Sequence, residues 1–113
     1  MTVPDSFVMG DVFYPESKEK LAQILEEAGI AVTVGNWAVR LENFARSFSL
    51  RYVGNLTPES PFQIDGSGYG VPVEFVAACC DRLATCLREQ RIGYDFFHAT
   101  SEQEVICEYQ YSP

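Results

Sequence analysis

Apolar residues recur along the chain at two spacings, one helical and one alternating, and the changes of spacing divide it into elements. In "PESKEKLAQILEEAG" the residues Leu21, Ile24, Leu25 and Ala28 stand at i, i+3, i+4 and i+7, which predicts a helix from Pro15 to Ala28. Proline opens its first turn, Gly29 takes the place of a C-terminal cap, and Glu16 and Lys20 form an i,i+4 pair in the favourable order. The spacing then drops to two. Ile30, Val32 and Val34 alternate, Gly35-Asn36 supplies a two-residue turn, and Trp37, Val39 and Leu41 alternate again, which predicts a hairpin. A third strand follows in "RSFSLRYVGN", where Phe48, Leu50 and Tyr52 oppose Ser47, Ser49 and Arg51.

The stretch "LTPESPFQIDGSGYG" is rich in Pro, Gly and Ser and reads as the longest loop. A long helix is expected from Pro72 to Arg91, with Val73, Phe75, Val76, Cys79, Cys80, Leu83, Cys86 and Leu87 on one arc and charged residues on the other. The chain closes with "GYDFFHA" and "EVICEYQY", two alternating runs that predict a second hairpin. A short strand is accommodated ahead of the first helix. The expected class is α+β: one globular domain over residues 1–113, an antiparallel sheet with two helices on one face, arranged as two α-β-β units.

Charge narrows the function. Eight Lys and Arg against sixteen Asp and Glu give a net charge of −8. A chain of this sign has no electrostatic affinity for nucleic-acid phosphates and is steered towards a basic protein. No apolar run approaches the roughly 18 to 20 residues of a spanning helix, and the N-terminus lacks a basic leader, so no membrane association and a cytoplasmic location are expected. Cys79, Cys80 and Cys86 fall in the predicted long helix, where Cys79 and Cys86 stand about 10 Å apart along the axis, beyond disulfide reach. Buried, reduced thiols are expected instead.

Candidate chemistry is sparse. Gly66, Gly68 and Gly70 precede the long helix, where backbone N–H groups can cradle a phosphate. The segment lacks the lysine and Ser/Thr of a P-loop, and Asp65 and Glu74 flank it. It reads as a flexible loop in which Tyr69, between two glycines, is exposed for partner contact. His98, the only histidine, has no nucleophile at a usable spacing, and Asp95 falls on the opposite strand face, so a structural role is expected. Neither a metal site nor a cofactor is indicated.

Glu26 and Glu27 break a local rule, since carboxylates in the last turn of a helix meet the negative end of its dipole. Glu102 and Glu104 fall at the second hairpin tip, and Glu108 is interleaved with Tyr109 and Tyr111 in the last strand. Carboxylates beside tyrosines suit recognition of a basic surface, because aromatics supply area and charges supply steering. In being small, acidic and α+β, without catalytic machinery, the chain is similar to bacterial immunity proteins that neutralise a toxin and to phage-type nuclease inhibitors, a likeness of composition that covers no motif.

The expected function is a non-catalytic inhibitor that occludes the active site of a basic partner, toxin or nuclease-like, through Glu26, Glu27, Tyr69, Glu102, Glu104, Glu108, Tyr109 and Tyr111. Two alternatives belong to other classes. One is a small enzyme or ligand-binding domain built on the Gly66–Gly70 loop, Tyr69 and His98. The other is a structural homodimer joined through a sheet edge or the last strand, against a monomer in the leading reading.

Overall fold

The computed structural model describes residues 5–44, 47–54, 56, 59 and 61–113. In chain order its elements are β1 (Ser6–Phe13), α1 (Lys18–Glu27), β2 (Val32–Val34), β3 (Ala38–Leu41), β4 (Ser47–Tyr52), β5 (Phe62–Ser67), α2 (Val73–Glu89), β6 (Gly93–Thr100) and β7 (Val105–Tyr111). The fold is α+β, with one antiparallel seven-stranded sheet in the spatial order β2-β3-β4-β5-β1-β6-β7. The N-terminal strand is eight residues long and central, pairing with β5 on one side and β6 on the other.

The topology explains why one face of the sheet is covered. With every neighbouring pair antiparallel, β1 runs parallel to β2, and β5 runs parallel to β6. Helix α1 therefore sits in a crossover that leaves β1 towards one edge, and α2 in one that leaves β5 towards the other. Strand directions and exit directions are both reversed between the two, so crossovers of the usual right hand put both helices on the same face. Burial agrees: Val8, Val12, Val39, Leu41, Phe48, Leu50, Phe62, Ile64, Tyr94 and Phe96 from the strands form one core cluster with Leu21, Leu25, Val76, Cys80, Leu83 and Leu87 from the helices.

Helix ends are fixed by local chemistry. Ser17 Oγ accepts the Lys20 N–H at 3.3 Å, so α1 starts at Lys18 and Pro15 lies outside it. At the other end Gly29, at φ 85°, lets Ile30 N–H reach the Leu25 carbonyl and its own N–H reach that of Glu26, as the glycine signal implied. The same pair of bonds closes α2, from Ile92 to Leu87 and from Arg91 to Arg88, with Arg91 in the left-handed region at φ 56°. Each helix is followed by an antiparallel hairpin. The Glu16–Lys20 pair forms at 2.7 Å.

Three further expectations are corrected. The first hairpin turns at Asn36-Trp37, not Gly35-Asn36, because Gly35 N–H donates to the Ala38 carbonyl at 2.8 Å. Trp37 thereby leaves the apolar strand face and stands exposed. The segment read as a long loop contains β5, which lies between β4 and β1. Its inward positions, Phe62, Ile64 and Gly66, do alternate, and Gly66 carries no side chain because Phe48 and Val8 fill that space: an added Cβ would lie 3.0 Å from the Phe48 ring. Phe75, expected on the buried arc of α2, is exposed near the helix start. The cysteine reading holds: Cys79, Cys80 and Cys86 are buried thiols outside any disulfide, and Cys107 is exposed.

Gly10 marks the tightest crossing. It pairs with Ile64 and Phe96, and an added Cβ would run into the Asp95 carbonyl and the Phe96 backbone at a φ of 153°. Gly10→Ala is expected to cost at least about 2 kcal/mol by urea unfolding, towards the top of the overpacking range. Gly35→Ala, where the nearest atom is 3.5 Å away, is expected to stay within about 1 kcal/mol of wild type.

Candidate functional site

The residues singled out from sequence do not share one surface. Glu26 and Glu27 are exposed at the end of α1, which packs over β2 and β3 at one side of the sheet. Arg82 of α2 donates to the Gly29 carbonyl just beyond them and stacks on Phe44 at 5.7 Å, placing a cation at the negative end of the α1 dipole. Glu102 and Glu104 are exposed in the β6–β7 turn, at the opposite side. Tyr69 is exposed in the turn before α2.

Along β7 the alternation separates the acid from the aromatics. Tyr109 stacks on Phe96 at 4.8 Å and Tyr111 lies 5.8 Å from Tyr94, both on the helix-covered side. Burial, followed by a hydrogen bond with Cys107, pushes the Tyr109 hydroxyl above its ordinary range. Glu108 sits across from Phe97 on the other face.

The glycine segment is packed, not flexible. An added Cβ at Gly68 would meet Ser6 Oγ at 2.7 Å and Val76 at 2.9 Å. The Gly70 N–H donates to Asp5 Oδ1 at 3.2 Å, so a carboxylate of the chain itself occupies the direction a phosphate would take. His98 is wholly buried in register with Val8 and Cys107, and neither ring nitrogen has a hydrogen-bond partner among the described residues. Burial holds its pKa below the usual histidine value and keeps the ring neutral. The Cys80 thiol is pushed up to about 12 by burial, then by Cys79, Asp81 and Cys107. Among the described residues no three His, Cys, Asp or Glu side chains converge as a metal site, and no helix is long and apolar enough to cross a membrane.

The uncovered face of the sheet is the surface that sequence reasoning missed. Register aligns Arg51, Gln63, Asp11, Asp95 and Gln110 in one row across five strands, and Ser49, Asp65, Met9, Phe97 and Glu108 in the next. Phe7 meets Phe97 edge-on at 6.0 Å, and Met9 is 51% exposed. A depression of about 320 Å³ lies between Met9, Asp11, Arg51, Asp65 and Phe97.

Asp11 faces Asp95 directly, and partial burial, then the Asp95 charge, raises its pKa. Gln110 donates to Asp95 at 3.3 Å, yet no ion pair among the described residues involves Asp11, Asp65, Asp95 or Glu108. Like charges directly opposed on neighbouring strands work against the fold. The signal was present in "SFVMGDVF", where Phe7, Met9, Asp11 and Phe13 alternate with Ser6, Val8, Gly10 and Val12. Comparison with protein-family models, curated proteins and solved structures returns no match, so the functional reading rests on this geometry.

Two measurements follow. Asp11→Asn is expected to stabilise the domain at pH 7 by a few tenths of a kcal/mol in urea unfolding, the low end of the roughly 0.2–1 kcal/mol for a cross-strand charge pair, because solvent screens it. For His98 the native pKa lies below the unfolded value near 6.5, so its contribution is complete above that pH. Below it the unfolded chain takes up the proton first. Stability is therefore expected to fall between pH 6.5 and 5 in the wild type and to fall measurably less in His98→Leu.

Proposed function

We propose that the protein is a non-catalytic acidic binding protein that neutralises a basic protein partner, toxin or nuclease-like, by occluding its active site. The observation that carries this reading is the open sheet face, where Asp11, Asp65, Asp95 and Glu108 surround Phe7, Met9 and Phe97 without ion-pair partners among the described residues. Unpaired carboxylates steer a cationic partner and define its register. The adaptable thioether and the phenyl rings supply desolvated area at the centre of such a contact. The net charge of −8 adds a long-range field of the same sign.

In this reading Glu102 and Glu104 form the rim beside β7, while Glu26 and Glu27 lie outside the contact and Tyr109 and Tyr111 support it from behind. The two α-β-β units fit it as well. The segments α1-β2-β3 and α2-β6-β7 would each give a helix to the covered side and a hairpin to the open one, flanking β4, β5 and β1. A homodimer through the last strand keeps one observation in its favour: β7 lies at the sheet edge and exposes Val105 and Ile106.

The test is affinity capture from the source cell with wild-type and Asp11→Asn/Asp95→Asn baits, at low and high salt. The expected result is a basic protein held by the wild type at low salt, released at high salt and lost from the double variant. Retention of the same proteins by both baits would falsify the reading.

A further inference from the structure

A second surface lies where the β1–α1 connection and the β2–β3 turn meet Tyr52, Gly54 and Pro61. Pro15, Lys18, Asn36, Trp37, Tyr52 and Pro61 line a cleft there of about 580 Å³. Trp37, the only tryptophan of the chain, is 72% exposed at the turn. A two-residue hairpin turn has no need of an indole, which is the largest apolar side chain.

The walls are preorganised. Tyr52 N–H donates to the Trp37 carbonyl at 2.7 Å, which ties the two aromatic residues together. The Tyr52 ring stands edge-on to Phe62 at 5.5 Å and lies so close to Gly54 that a Cβ there would come within 2.7 Å of the hydroxyl. Three donor-bearing side chains line the cleft: the Trp37 indole, the Asn36 amide and the Tyr52 phenol. Among the described residues none of them has a side-chain hydrogen bond. The carboxylates at the rim are already engaged, Glu19 by Lys18 at 2.6 Å and Glu16 by Lys20 at 2.7 Å.

We propose that this cleft binds a polyproline II segment of another protein. Such a segment offers carbonyl acceptors with few N–H donors of its own, and pyrrolidine rings that pack flat on aromatic faces. The cleft is its complement: donors without side-chain partners among the described residues, an indole and a phenol, two prolines and a rim whose carboxylates are matched by lysines. Because polyproline II is already ordered in solution, little conformational entropy is lost on docking. The site is separate from the open sheet face, so either reading stands if the other fails.

Trp37 is its own reporter. Titration with an acetylated, amidated decaproline is expected to change its emission saturably, and a Gly-Ser decapeptide is expected to leave it unchanged. Tyr52→Phe and Asn36→Ala, each removing one donor from an exposed position, are expected to weaken decaproline roughly three- to tenfold. Trp37→Ala, followed by calorimetry, is expected to abolish binding. No saturable response to decaproline at millimolar concentration overturns the proposal. So does an equal response to the Gly-Ser peptide, or undiminished binding by both donor variants, which remain informative even where Trp37→Ala does not fold.

Discussion

The two ladders made by β1 govern the rest of the molecule. β1 pairs with β5 from Phe7 to Val12 and with β6 over its whole length, so its alternation is imposed on strands far away in sequence. Val8 and Val12 enter the core together with Phe62, Gly66, Tyr94 and His98, and Phe7, Met9 and Asp11 go to the other side with Ser67, Asp65, Gln63, Ala99, Phe97 and Asp95. A one-residue slip of β1 would turn Phe7, Met9 and Asp11 inward and expose Val8 and Val12. The bare backbone of Gly10, set against Phe96 and Asp95, holds this register, because no neighbouring residue could take its place in the crossing.

From that register follows the division of labour between the faces. Both crossovers fall on one side, and the core forms entirely there, with α1 over one end of the sheet and α2 over the other. The opposite face keeps a mixture of aspartates and half-exposed apolar side chains that the fold does not consume. Asp11 and Asp95, opposed across two central strands, work against stability, which is what makes this face the basis of the proposed contact. The indole exposed at the β2–β3 turn lies on a different part of the surface.

Buried polarity tells a complementary story. His98 and Ser6 sit in the core without side-chain hydrogen-bond partners among the described residues, and Ser6 packs against Gly68. Burial keeps His98 neutral and the Cys80 thiol protonated at neutral pH. Arg82 shows how tertiary contact repairs a local fault. Its guanidinium, arriving from α2, caps the carbonyl end of α1, where the sequence places two glutamates and no basic residue.

Local periodicity determined the two helices, both hairpins, strand β4, the α+β class and the reduced thiols, because each rests on residues within a few positions of one another. The helix-closing role of Gly29 is local as well, and so is the Ser17 cap, which sets the start of α1 three residues after the expected Pro15. What only the tertiary structure decided is non-local. Strand β5 was hidden by glycines whose lack of a side chain answers to Phe48, Val8, Ser6 and Val76 and to nothing in their own neighbourhood. The facing of Asp11 and Asp95 depends on a strand pairing that joins the two ends of the chain, and the separation of Glu108 from Tyr109 and Tyr111 depends on which face the helices cover. Trp37 left its strand because one backbone hydrogen bond set the turn a residue later. Sequence spacing fixes which side chains share a face of one element; only packing decides which face meets water.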